Sequence, residues 1–96
     1  MFYKAIHFNE PIEQWNISNV NSTFFMFGHA KDFNQCIGNW DISNVSDMRY
    51  MFCGASNFDK SLKNWNVNDE KVEIANMFNS CKISPVNCPN YHFESF

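Results

Sequence analysis

The dipeptide Met-Phe recurs at Met1, Met26, Met51 and Met77, in steps of 25, 25 and 26 residues, and Trp15, Trp40 and Trp65 are also 25 apart. A period of this kind restricts the fold more than any other property of the chain. A sequence that repeats builds one small unit several times, and a unit this short buries its apolar side chains only by stacking on its neighbours. The agreement extends between the anchors: Ala5, Ala30 and Ala55; Phe8, Phe33 and Phe58; Asn9, Asn34 and Asp59; Ile12, Ile37 and Leu62; Ile17, Ile42 and Val67.

The period divides the chain into a repeat array, residues 1–78, with coils 1–25, 26–50 and 51–76, and a degenerate C-terminal repeat or cap, residues 77–96. The opening MFYKA is in phase with MFGHA and MFCGA, so the first copy starts in mid-unit. That phase is what a fragment or truncated reading frame of a longer array produces. The third copy carries one extra residue within NVNDEKVEIAN, where either Lys71 or Val72 takes the place of Val45. Past Met77 the pattern decays, with Cys81 replacing the alanine, Ser84 replacing the phenylalanine, and no tryptophan in SPVNCPNYHFESF.

Within one copy, Ile37, Trp40, Ile42 and Val45 stand in the frame of a leucine-rich repeat, and their alternation predicts a strand over Trp40–Asn44. Met48, Met51, Phe52 and Ala55 follow at the i, i+3, i+4, i+7 spacing of an amphipathic helix, with Ser46 or Asp47 as N-cap and Gly54 favouring a stop. The predicted fold is therefore an α/β repeat: a leucine-rich-repeat-like right-handed solenoid of about three coils, with short parallel strands on one side and short helices on the other. Asn19 and Asn44 are expected to bond the backbone of their turns. Strand alternation turns Gln14, Asn16, Ser18, Asn39, Asp41, Ser43, Asn64, Asn66 and Asn68 outward. These residues form a polar, amide-rich strip that a partner would meet.

Composition narrows the function. The chain has 96 residues, 45% of them hydrophobic and 18% aromatic, enough for one small globular domain. Its formal net charge is -3, with only seven Lys and Arg, so the basic footprint required by nucleic acid is missing. No segment approaches the roughly 18 uninterrupted apolar residues of a membrane span, and MFYKAIHFNEPIEQW contains no signal-peptide core. Cys36, Cys53, Cys81 and Cys88 match no zinc or redox spacing and read as free thiols, Cys81 and Cys88 being the first pair to test for a disulfide. His7, His29 and His92 occupy unrelated repeat positions, and no recurrent Ser, His and carboxylate set is present, so no metal, cofactor or catalytic residues are expected. An enzyme reading would need a thiol site such as Cys88 with His92.

The pattern MFGHAKDFNQCIGNWDISNV, in which Trp-Asp-Ile-Ser-Asn-Val and Met-Phe keep a 25-residue step, resembles the BspA-like leucine-rich-repeat surface proteins, whose repeats are also known from mycoplasma-type lipoproteins. The resemblance covers Met1 to Phe78. It implies a non-enzymatic module displayed on a cell or particle surface, which binds a protein or cell-surface ligand in adhesion. A purely structural segment of a surface array, with no ligand of its own, is the competing expectation. Apolar residues at the first copy, Met1, Phe2, Ile12 and Trp15, also suggest self-association through open ends.

Overall fold

In the segment predicted to be helical, the backbone N–H groups take two kinds of partner in alternation. Those of Met51, Cys53 and Ala55 bond the carbonyls three residues back, at 3.2, 3.1 and 2.9 Å, whereas those of Tyr50, Phe52 and Gly54 donate to Ala75, Met77 and Asn79 in the next copy, at 3.1, 2.9 and 2.8 Å. The preceding copy repeats this pattern. Met26, Gly28 and Ala30 bond backwards to Thr23, Phe25 and Phe27, and Phe25, Phe27 and His29 donate forwards to Arg49, Met51 and Cys53. An α-helix sends every N–H to the carbonyl four residues back. Here half of them leave the copy altogether.

The backbone angles agree. Phe25, Tyr50 and Asn76 form one column of left-handed residues, with φ of 53°, 57° and 56°, and Lys4, His29, Gly54 and Ser80 form a second, with φ between 58° and 78°. Two left-handed residues in each copy are incompatible with a continuous right-handed helix. The chain advances instead as a run of linked turns.

The structure is a computed structural model that describes residues 2–68 and 71–92, the side chains of Tyr91 and His92 excepted. It corrects the predicted fold class. Among the described residues there is no α-helix, and the strands are β1 (Asn66–Asn68) and β2 (Asn90–His92), which pair in parallel with Asn66 opposite Asn90. A short 3-10 turn, Pro85–Asn87, precedes β2. The leucine-rich-repeat-like right-handed solenoid with strands on one side and helices on the other is not what this chain forms. The strand expected at Trp40–Asn44 is absent, and only its counterpart in the third copy pairs regularly. Single parallel bridges join Ser22 to Asp47 and Asp47 to Glu73. The radius of gyration is 12.3 Å, close to the roughly 13 Å of a globular domain of this size.

Burial nevertheless follows the period. Ile37, Trp40, Ile42, Val45, Met48, Met51, Phe52, Ala55 and Phe58 are all buried, and they join equivalents from the flanking copies in one hydrophobic cluster. Its spine is a column of near-parallel rings, in which Phe2, Phe27, Phe52 and Phe78 succeed one another at 5.5, 5.6 and 5.4 Å. Phe8, Phe33 and Phe58 form a second column at 5.9 and 5.6 Å. Within a copy the two columns touch, as Phe27 does Phe33 at 4.0 Å.

The tryptophans also tie copies together. The indole N–H of Trp40 donates to the Ile12 carbonyl at 3.1 Å, and that of Trp65 to Ile37 at 3.2 Å. Trp15 remains 43% exposed, while Ile12, expected at an open apolar layer, is buried. Met1, also placed in that layer, lies outside the described residues, as do Asp69, Glu70 and 93–96. At the slip in the third copy, Val72 packs against the core and Lys71 is exposed, so Val72 takes the place of Val45. In the last copy, beyond the phenylalanine column, Ile83 is partly buried against the core.

Candidate functional site

Gln14, Asn16, Asn39, Asp41, Ser43, Asn64 and Asn66 are exposed, and Ser18 and Asn68 are half-buried. Asn39 and Asn64 flank a shallow depression of about 290 Å³ that also contains Glu13, Cys36 and Lys60. Asp41, Ser43, Asn64 and Asn66 border a smaller one of about 170 Å³ over Trp40. Several side chains of the strip are engaged in shaping the backbone. The Asp41 carboxylate accepts the Ser43 N–H at 3.0 Å and its hydroxyl at 2.6 Å, and these two donors hold its pKa below the usual carboxylate range. Asn16 receives Ser18 in the same way, at 3.0 and 2.6 Å, and the Asn90 amide donates to Asn66 at 3.1 Å. Asn44 donates to the Ser18 carbonyl of the preceding copy at 2.6 Å, not to its own turn.

A second polar column bonds each copy to the next. Asn9 Oδ1 accepts the Asn34 N–H at 2.8 Å, Asn34 Oδ1 accepts that of Asp59 at 3.0 Å, and Asp59 Oδ1 accepts that of Ser84 at 2.8 Å. Ser84 therefore continues the Asn and Asp column. The Asp59 carboxyl also accepts the Ser84 hydroxyl and the Asn87 amide, and these donors lower its pKa. The period revealed the column; only the structure shows that each member bonds the next.

Tyr3 and Phe24, which have no aromatic counterpart in the other copies, gather on the surface with Phe25 and Tyr50, which share a repeat column. Tyr3 and Phe24 are 48% and 46% exposed, and Phe25 and Tyr50 are half-buried between them. Phe25 and Tyr50 stack at 4.6 Å, Tyr3 meets Phe25 edge-on at 5.1 Å, and Phe24 meets Phe25 edge-on at 4.9 Å. Cations border the group. The Arg49 guanidinium lies 5.0 Å from the Phe24 ring centre, the Lys4 ammonium 5.3 Å from that of Tyr3, and exposed His29 lies edge-on to Tyr3 at 5.8 Å. Arg49 is fixed by two bonds to Asp47, both 2.9 Å, and reaches Glu73 at 3.3 Å. The bonds to Arg49 lower the Asp47 pKa. Asp47 also accepts the Arg49 N–H at 3.1 Å, a turn-forming bond in place of the predicted helix cap.

Sequence reasoning did not single out this patch, because Phe24, Arg49 and Ala75 share one repeat column and Tyr3, Gly28 and Cys53 another, so no period marks them. Exposed large aromatics in succession were the available signal. Contiguous apolar surface of this kind, bordered by Arg, is typical of contact sites.

The four cysteines are free. Burial and the nearby Asp59 carboxylate push both the Cys81 and Cys88 thiols up, away from the thiolate that a nucleophile needs. The His92 side chain, the partner required for a thiol site with Cys88, lies outside the described side chains. His7 pairs with Asp32 at 2.9 Å on the surface, and among the described residues no group of three or more His, Cys, Asp or Glu could hold a metal ion. No helix among the described residues is long and apolar enough to cross a membrane.

No curated protein and no solved structure matches this chain. A family described as "Mycoplasma protein of unknown function, DUF285" matches residues 1–91, which hold the full run of Met-Phe and Trp positions. The chain belongs to that family.

Proposed function

We propose that this chain is a non-enzymatic repeat protein that binds a protein ligand at a cell or particle surface, with the aromatic patch as the main contact. The observation that carries this reading is the exposure of Tyr3 and Phe24 beside Arg49 and Lys4. Two large rings held half out of the core oppose the hydrophobic effect in the free protein, and Tyr, aromatic and Arg side chains dominate the energetics of protein interfaces. The likeness of MFGHAKDFNQCIGNWDISNV to BspA-like surface proteins supports surface display and adhesion. The polar strip is the second candidate contact.

Fluorescently labelled protein titrated onto cultured epithelial cells tests the reading. Saturable binding is expected, and Tyr3→Ser with Phe24→Ser should weaken it about tenfold or more, the effect of losing one or two interface hot spots. Replacing Asn39, Asp41 and Ser43 together with alanine should leave it nearly unchanged. Loss of binding in the triple variant alone would assign the contact to the strip instead. Absence of saturable binding by the folded wild-type protein would overturn the adhesion reading and favour a structural segment.

A further inference from the structure

The repeat column Glu13, Gly38 and Lys63 carries opposite charges in the flanking copies and no side chain in the second. The space left at Gly38 belongs to the depression of about 290 Å³, to which three successive copies contribute: Glu13 from the first, Gly38 and Asn39 from the second, and Lys60, Ser61 and Asn64 from the third. A side chain at Gly38 would close it and collide with the wall, because its Cβ would lie 2.5 Å from the Ser61 carbonyl oxygen. The Trp65 indole bond to the Ile37 carbonyl, at 3.2 Å, fixes the second and third copies together at this point. The side chains around the space differ from the rest of the strip. Asn16 and Ser18 bond each other, as do Asp41 and Ser43, whereas among the described residues Glu13, Asn39, Lys60 and Asn64 make no side-chain hydrogen bond and no ion pair. Lys60 is half-buried, and the carboxylate next to it in the chain, Asp59, has its oxygens on Ser84 and Asn87.

We propose that this depression binds a small polar amino acid in its zwitterionic form, with the ammonium on Glu13, the carboxylate on Lys60 and the polar side chain between the amides of Asn39 and Asn64. Charge selects the class. Glu13 and Lys60 line one depression without forming an ion pair with each other. An anion is drawn to Lys60 and repelled by Glu13, a cation the reverse, and an uncharged ligand would cover a half-buried ammonium without pairing it. A molecule that carries both charges answers both side chains. Size and polarity narrow the class further. A volume of about 290 Å³ is at the low end for small-molecule sites, and among the described residues no aromatic or branched aliphatic side chain lines the space. An apolar ligand side chain would therefore find nothing to pack on, whereas a side-chain amide meets Asn39 and Asn64 as donor and as acceptor. Glutamine and asparagine meet these requirements. The site shares Asn39 and Asn64 with the polar strip and no residue with the aromatic patch.

Titration of L-glutamine into the isotope-labelled full chain, followed by two-dimensional NMR, tests this. Saturable shifts in the millimolar range are expected at the Gly38 amide and at the side-chain amides of Asn39 and Asn64. Glutamine acetylated at its α-nitrogen and glutamine amidated at its α-carboxyl group each lack one charge, and each should bind the wild-type protein about tenfold more weakly or worse, the effect of losing one charge-assisted contact. Glu13→Gln should weaken L-glutamine binding to a similar degree and no longer distinguish it from the acetylated form, and Lys60→Gln should no longer distinguish it from the amidated form. Neither side chain is bonded in the free protein, so the spectra of both variants should match the wild type away from the site, which verifies that they fold. A readout without mutation runs in parallel: Cys36 is exposed in the same depression, and its alkylation by iodoacetamide, mapped by mass spectrometry, should slow as L-glutamine is added while that of Cys53 does not. The proposal is overturned by the absence of saturable shifts at Gly38, Asn39 and Asn64, by equal binding of the two capped forms and L-glutamine, or by unchanged binding in both variants.

Discussion

At the scale of single residues, one residue type has different weight depending on its place in the stack. Trp40 is 5% exposed and its indole N–H is bonded to Ile12, whereas Trp15 has the same sequence context and is 43% exposed. Trp40→Ala removes a buried side chain and leaves a cavity, so it should cost about 3–5 kcal/mol. Trp15→Ala should cost about 1 kcal/mol or less, as surface substitutions do. Urea denaturation of the two variants measures both, and equal losses would show that the first and second copies are covered alike. Gly54 illustrates the same dependence on place. Its column is left-handed throughout, yet Lys4, His29 and Ser80 occupy the equivalent sites, and a Cβ at Gly54 would run into the His29 imidazole. Crowding by the neighbouring copy, more than φ, explains why glycine stands there.

At the scale of elements, the turn run that replaces the helix makes a prediction of opposite sign to a helical segment. Ser80 is exposed with φ of 59°. Glycine adopts that angle without a Cβ penalty, so Ser80→Gly should raise stability by about 0.5–1 kcal/mol. In a helix interior the same change would lower it by about as much. Thermal or urea unfolding decides, and a destabilised variant would restore the helix.

The period, the buried set and the tryptophan positions were all readable in the amino-acid sequence. The element type was not. Met48, Met51, Phe52 and Ala55 do face inward together, but linked four-residue turns along the chain produce the same spacing as a helical face. What separates the two is the partner of each second N–H, which lies about one repeat away and leaves no local mark. Strand alternation around Trp40 and Ile42 likewise described burial correctly without implying regular pairing, which only Asn66–Asn68 achieves. The outward strip was legible because it repeats, and the aromatic patch was not because Tyr3, Phe24 and Arg49 do not.

At the scale of the whole molecule, stability comes from the junctions between copies. Ring columns, indole bonds, the Asn9–Asn34–Asp59 column and forward-donated N–H groups all cross from one copy to the next. A copy taken alone loses every one of them, which is why unfolding should involve all copies together. The direct test of this arrangement is a through-hydrogen-bond NMR experiment on labelled protein, correlating each amide nitrogen with the carbonyl carbon that accepts its proton. The Phe52 amide should correlate with the Met77 carbonyl, and the Phe27 amide with that of Met51. Correlation of Phe52 with Met48, the acceptor four residues back in a helix, would contradict it.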